Sequence, residues 1–120
     1  MMEKPHKKLD LWKKAVDLSV VIYQMTGKFP SQEMYGLVSQ MRRAVVSISC
    51  NIAEGAARQT KKEFIQFLHM ARGSLSELDT QLEISIRLGY IKPEEITEAL
   101  KTATDVDMML SGLIRALRRT

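Results

Sequence analysis

Apolar residues recur along this chain at helical spacing, and the pattern is densest between Gln40 and Gly55. Leu37, Met41, Ala44, Val45, Ile48 and Ile52 fall on one face at i, i+3, i+4 spacing, the period of a helix that turns one face to a core. Beside that stripe runs a second one: Gln40, Arg43, Ser47, Asn51, Glu54 and Arg58. A solvated helix face is usually long and charged, whereas these side chains are mostly short, neutral or able to pair. Amides, hydroxyls, one acid and arginines can satisfy each other away from water. Gln40, Arg43, Ser47, Asn51 and Glu54 therefore read as a structural polar stripe, with Arg43, Ser47, Asn51 and Glu54 at least half buried between helices or subunits. The plainer alternative is a solvated flank.

Three more segments carry the same period. From Leu9 to Thr26 there are two apolar stripes. One is Leu9, Trp12, Val16, Val20 and Tyr23, and the other is Leu11, Ala15, Leu18, Ile22 and Met25. A helix apolar over more than half its circumference needs more than one partner face, which points to burial by another subunit. Gly27 reads as its C-terminal cap, and Phe29-Pro30 as an extended connection. Ser31 reads as the N-cap of the second helix, which runs to about Ala57, with Glu33 in its first turn. Close backbone approach is the expected reason for Gly36, and helix termination the expected role of Gly55.

Thr60-Lys61-Lys62-Glu63 is a capping box that opens a third helix, Lys61 to about Leu88. Its stripe is Phe64, Phe67, Leu68, Ala71, Leu75, Leu78, Leu82, Ser85 and Ile86, with Gly73, Ser74 and Ser76 as a small-residue patch beside it. Gly89 ends it. Pro93, Glu94 and Glu95 suit the start of a fourth helix, and Arg115, Arg118 and Arg119 suit its end. Asp107 interrupts that helix's stripe of Ile96, Ala99, Leu100, Ala103, Leu110, Ile114 and Leu117. The favoured solution is that the stripe swings to Val106 and Leu113; the other is a buried partner for Asp107. Four helices on short connections predict an all-α, antiparallel up-down-up-down bundle, a single domain over residues 1–120 with residues 1–8 as a flexible leader.

Composition narrows the class without changing this picture. The chain has 120 residues, enough for one core and too few for two domains. No apolar run reaches the length of a membrane span, no secretory leader is legible at the N-terminus, and one cysteine allows no internal disulfide. A cytoplasmic protein is expected, with no membrane role. Cys50 reads as a small packing residue. The net charge of +4 is unevenly spread: +3 over residues 1–14, −1 over 15–41, +4 over 42–72, −5 over 73–110 and +3 over 111–120. In the expected topology the turn between the second and third helices shares an end with the close of the fourth. Arg58, Lys61, Lys62, Arg115, Arg118 and Arg119 would then gather at one pole, as candidates for phosphate contacts without base readout.

Candidate chemistry beyond that is sparse. His6 lies in the leader, and His69 reads as a partly exposed filler. There is no HExxH, no Cys/His set, no glycine-rich phosphate loop and no nucleophile elbow. No metal, no cofactor and no catalytic residues are expected, so the chain reads as a non-enzyme. Glu77, Asp79 and Glu83 read as a solvated acidic face.

Specific runs go further. Trp12 in its helix, the connection FPSQEMYGL (Phe29 to Leu37), the block SQMRRAVVSISCNIAEG (Ser39 to Gly55) and GSLSELDTQL (Gly73 to Leu82) resemble the four-helix-bundle family of 23S rRNA intervening-sequence proteins. The resemblance implies a four-helix bundle that assembles into a ring-shaped homopentamer, and it supplies no catalytic residues to transfer. Related retroelement accessory proteins are pentameric partners of a reverse transcriptase and bind nucleic acid. Two functions compete at this point. One is an oligomeric scaffold binding RNA or DNA through a basic rim. The other is a protein-interaction adaptor ring with no nucleic-acid role.

Overall fold

A computed structural model describes residues Met1–Arg119. Four α-helices run in this order: α1 (Asp10–Thr26), α2 (Leu37–Ala56), α3 (Lys61–Arg87) and α4 (Thr97–Arg119). Single 3-10 turns lie at Pro5–Lys8, Ser31–Glu33 and Pro93–Ile96. No strand occurs among the described residues.

Cross-helix contacts establish the antiparallel order. Ser19 Oγ reaches the Val45 carbonyl at 3.3 Å and Arg42 Nε donates to Thr26 Oγ1 at 3.0 Å, so the start of α2 lies at the end of α1. Ser47 meets Ser74, and Ser85 Oγ meets Met41 Sδ at 3.6 Å, so α2 and α3 run in opposite directions. His69 near the start of α3 touches Arg118 at the end of α4, and Lys14 of α1 pairs with Asp105 of α4 at 3.5 Å. These contacts close the up-down-up-down bundle.

The expected stripes fill its centre. Leu11, Ala15, Leu18, Ile22 and Met25 of α1 pack with Met41, Ala44, Val45, Ile48 and Ile52 of α2, and all are buried. Leu68, Ala71, Leu75, Leu78, Leu82 and Ser85 of α3 and Ala99, Val106, Leu110 and Ile114 of α4 complete the core. On α4 the stripe swings through Val106 and Leu113, as the pattern favoured, and Asp107 stays exposed.

Helix ends show where local chemistry departs from expectation. Thr60 caps α3 as expected: its Oγ1 accepts from Glu63 N at 3.1 Å and donates to Glu63 Oε1 at 2.9 Å. Gly89 ends α3 with φ +77, the left-handed conformation that glycine adopts without a Cβ penalty, and Tyr90 N then reaches back to the Ser85 carbonyl at 3.0 Å. Gly27 occupies the end of α1 with φ −61, so its place there does not depend on being glycine. Ser31 caps nothing. It opens a separate turn, and α2 starts only at Leu37, whose N–H donates to Glu33 Oε1 at 3.2 Å. A side-chain carboxylate from the preceding turn has taken the capping role assigned to Ser31.

The two glycines of α2's neighbourhood exchange their expected roles. Gly36 precedes the helix, where a Cβ would meet the Glu33 carboxylate oxygen at 2.9 Å and the Glu33 carbonyl at 3.9 Å, but no other helix. Gly55 is buried within α2, and a Cβ there would lie 2.8 Å from Phe67 Cβ and 2.9 Å from Phe64 Cδ1. Close approach of helices is therefore Gly55's function. At the N-terminus, residues 1–4 carry no regular structure. Pro5–Lys8 forms a turn that packs on α1 and α2, with the His6 ring edge-on to Trp12 at 4.8 Å between centroids.

Candidate nucleic-acid interface

Pairing of α2 with α3 and of α1 with α4 puts four basic segments at one end of the bundle. These are the turn before α1, the start of α1, the α2–α3 connection and the close of α4. The cations the sequence singled out are not equivalent there. Arg58 is committed to its own fold: Nη2 donates to Glu54 Oε1 at 3.1 Å, and its guanidinium lies 4.7 Å from the Phe67 ring centroid. Arg118 Nη2 lies 3.1 Å from His69 Nε2. A guanidinium only donates, so this ring nitrogen accepts and His69 is more than a filler. Lys61 also has an interaction partner. Lys62, Arg115 and Arg119 are exposed and form no ion pair among the described residues.

The polar stripe divides in the same way. Ser47 and Asn51 are partly buried: Ser47 Oγ donates to the Ala44 carbonyl at 2.9 Å and meets Ser74 Oγ, and Asn51 Nδ2 donates to the Ser47 carbonyl at 2.8 Å. Within one chain Gln40, Arg43 and Glu54 are exposed. The stripe borders an α2–α3 groove lined by Gln40, Arg43, Ser47, Ser74, Glu77 and Gln81. Gln81 Oε1 is buried there with no hydrogen-bond partner among the described residues. Periodicity missed Gln81 because it sits beside the α3 stripe without breaking it. Ser74 was visible only as one of a small-residue patch.

The outer face of α1 and α2 is the other exposed feature. Val20, Tyr23 and Val46 are 51%, 45% and 37% exposed, and Trp12, Val16 and Ala53 are partly so. Arg42 folds over the Tyr23 ring at 4.5 Å and donates to the Tyr23 carbonyl at 3.3 Å. Its charge is thereby held at the rim of this apolar strip. Cys50 is exposed on the same side of α2 as Val46, not packed as its neighbours suggested. Among the described residues no group of three or more His, Cys, Asp or Glu side chains could hold a metal ion, and no helix is long and apolar enough to cross a membrane.

These features define an antiparallel four-helix bundle with one basic pole and an unpartnered apolar strip along two helices. The family model of the 23S rRNA-intervening sequence proteins matches residues 7–112, and the chain belongs to that family. Among solved structures it is similar to a protein of unknown function from the S23 ribosomal protein family of Bacteroides thetaiotaomicron. The two are 26% identical with a TM-score of 0.77, over 87% of this chain and 97% of that one. No functionally curated protein matches.

Proposed function

We propose that the chain is a non-enzymatic scaffold that self-associates into a ring, a pentamer as the family resemblance implies, and binds RNA or DNA weakly through its basic pole. The observation that carries this reading is the contact of Arg118 with His69, which ties the close of α4 to the basic start of α3. Lys62, Arg115 and Arg119, without an ion pair among the described residues, then share this pole with the engaged Arg58, Lys61 and Arg118. In a ring of identical copies this pole recurs around one rim. Flexible cations without an aromatic platform favour phosphate contacts over base readout. Residues 73–110, net −5, keep other surfaces negative and confine the polyanion to that rim.

A labelled single-stranded RNA of mixed sequence tests the proposal by anisotropy at increasing salt. Binding that weakens steeply with salt, and is lost when Lys61, Lys62, Arg118 and Arg119 are all changed to Glu, supports it. Absence of binding by the parent at low salt, or binding unchanged by the fourfold variant, leaves the second reading. That reading is an adaptor ring for a protein such as a reverse transcriptase, with no nucleic-acid role.

A further inference from the structure

Lys4, Lys7 and Lys8 precede the first helix, in a segment whose sequence carries no helical period. Folding nevertheless gives it a defined place. Pro5 occupies the first position of the 3-10 turn, where its fixed φ costs nothing and its missing N–H is not needed. The Lys7 N–H reaches the Lys4 carbonyl at 3.1 Å and the Leu9 N–H reaches the His6 carbonyl at 3.0 Å. The His6 ring packs edge-on against Trp12, at 4.8 Å and 61°. The turn also contacts α2. Since α1 starts at the end of the bundle where α2 stops, the three lysines stand at the pole that holds Lys62, Arg115 and Arg119.

Three of the six cations first assigned to that pole are engaged within the chain: Arg58, Lys61 and Arg118. Lys4 and Lys8 are exposed and form no ion pair among the described residues, and Lys7 Nζ donates to the Met2 carbonyl. A carbonyl leaves the ammonium's charge uncompensated. Two acids of the bundle are already paired elsewhere, Glu54 with Arg58 and Asp105 with Lys14.

We infer that the Pro5–Lys8 turn is part of the nucleic-acid surface. Lys4, Lys7 and Lys8 contact phosphates there, and the His6–Trp12 contact acts as the clasp that positions them. This rests on the nucleic-acid reading above. A positioned turn holds its three ammonium groups near the rim before binding, so less chain entropy is lost on association than with a frayed tail.

The test uses the full chain and the same single-stranded RNA. Each phosphate neutralised on a single strand contributes about 0.7 to the slope of log K against log salt. Replacing Lys4, Lys7 and Lys8 together by Gln should therefore lower that slope by about 2, with helix content and Tm unchanged. His6→Ala should weaken binding while leaving the slope closer to the parent's. His6→Phe, which keeps a ring against Trp12, should restore it. Trp12 is the only tryptophan, so its fluorescence reports the clasp directly and should change in His6→Ala but far less in His6→Phe. A parent that binds, with the triple-Gln variant retaining the parent slope, overturns this inference and leaves the nucleic-acid reading standing. A parent that does not bind at low salt removes both. Lost affinity for anionic phosphatidylserine vesicles, with RNA binding intact, would assign the turn to a lipid surface and also overturn it.

Discussion

Tyr90 Oη donates a 2.6 Å hydrogen bond to Glu33 Oε2, joining two connections that are 57 residues apart in the chain. Glu33 precedes α2 and Tyr90 follows α3, so the bond fastens the pole opposite the basic one. The other carboxylate oxygen of Glu33 caps the Leu37 N–H, and the Tyr90 ring lies 5.6 Å from Phe29. One acid thus fixes both where α2 begins and where the α3–α4 connection sits.

This pair predicts pH dependence at both extremes. The Tyr90 hydroxyl, and after it the Leu37 N–H, holds the Glu33 carboxyl below its ordinary value of 4.5. A carboxyl depressed in the fold stabilises it above the unfolded value, and that contribution is lost as pH falls through the folded one. Tyr90 is raised above 10.0, first by the same hydrogen bond, so its contribution is complete below that value and lost as pH climbs through the folded one. Tyr90→Phe should lower Tm at pH 7, and its gap to the parent should narrow under acid as Glu33 becomes neutral. Melting curves at pH 7 and pH 3 check this; a gap of equal size at both would show that the charged carboxylate contributes nothing through Tyr90.

Gly55 and Gly73 give opposite expectations for the same substitution. Both lie inside helices, where Ala is intrinsically preferred by about 1 kcal/mol. A Cβ at Gly73 meets nothing within 4 Å, so Gly73→Ala should stabilise by up to about 1 kcal/mol. At Gly55 it would lie 2.8 Å from Phe67 Cβ and 3.3 Å from the Phe64 carbonyl, rigid neighbours that yield only if α3 shifts. Overpacking of this kind costs about 1–3 kcal/mol, enough to reverse the propensity gain. Urea unfolding of the two variants should move the midpoint in opposite directions, and a stabilised Gly55→Ala would show that α2 and α3 have slack at their contact.

The contrast between these glycines marks what the sequence could convey. Core stripes were legible because periodicity reports a helix's own faces, and α2, α3 and α4 each turn one such face inward. Even the swing past Asp107 followed, since Val106 offers the next apolar position. Which glycine faces a neighbouring helix depends on inter-helix distance, and no local pattern encodes it. The displaced start of α2 escaped notice because Ser31 and Glu33 both look like helix openers, and only the Tyr90 partner shows which of them is used. The pole was legible as topology: antiparallel order alone brings Arg58, Lys61 and Lys62 to the side of Arg115, Arg118 and Arg119. The pairing of Arg58 with Glu54 and of Arg118 with His69 was not, because side-chain partners across a bundle depend on rotation about each helix axis. The order of the N-terminal turn rests on a His6–Trp12 contact that spans a break in secondary structure, where periodicity is silent.

The outer stripe of α1 carries the final prediction. Leu11, Ala15, Leu18, Ile22 and Met25 form the buried stripe of that helix, while Val20 and Tyr23 are left about half exposed, Tyr23 in a groove shared with Val46 of α2. A contiguous apolar strip of this kind on a small domain marks an association surface, and a second copy of the chain is the occupant we propose. Copies that meet through two different surfaces close into a ring, whereas a single self-matching patch stops at a dimer. The parent should therefore elute, by light scattering coupled to gel filtration, at a multiple of its 13.7 kDa chain mass, with five chains expected from the family resemblance. Changing Val20 and Val46 together to Asp places charges in the strip without touching the buried stripe, so it should release single chains that keep their helical circular dichroism. A parent already monomeric at micromolar concentration would mean that the strip faces water or another protein, and a Val20 and Val46 variant that still assembles would place the contact on a different face of the bundle.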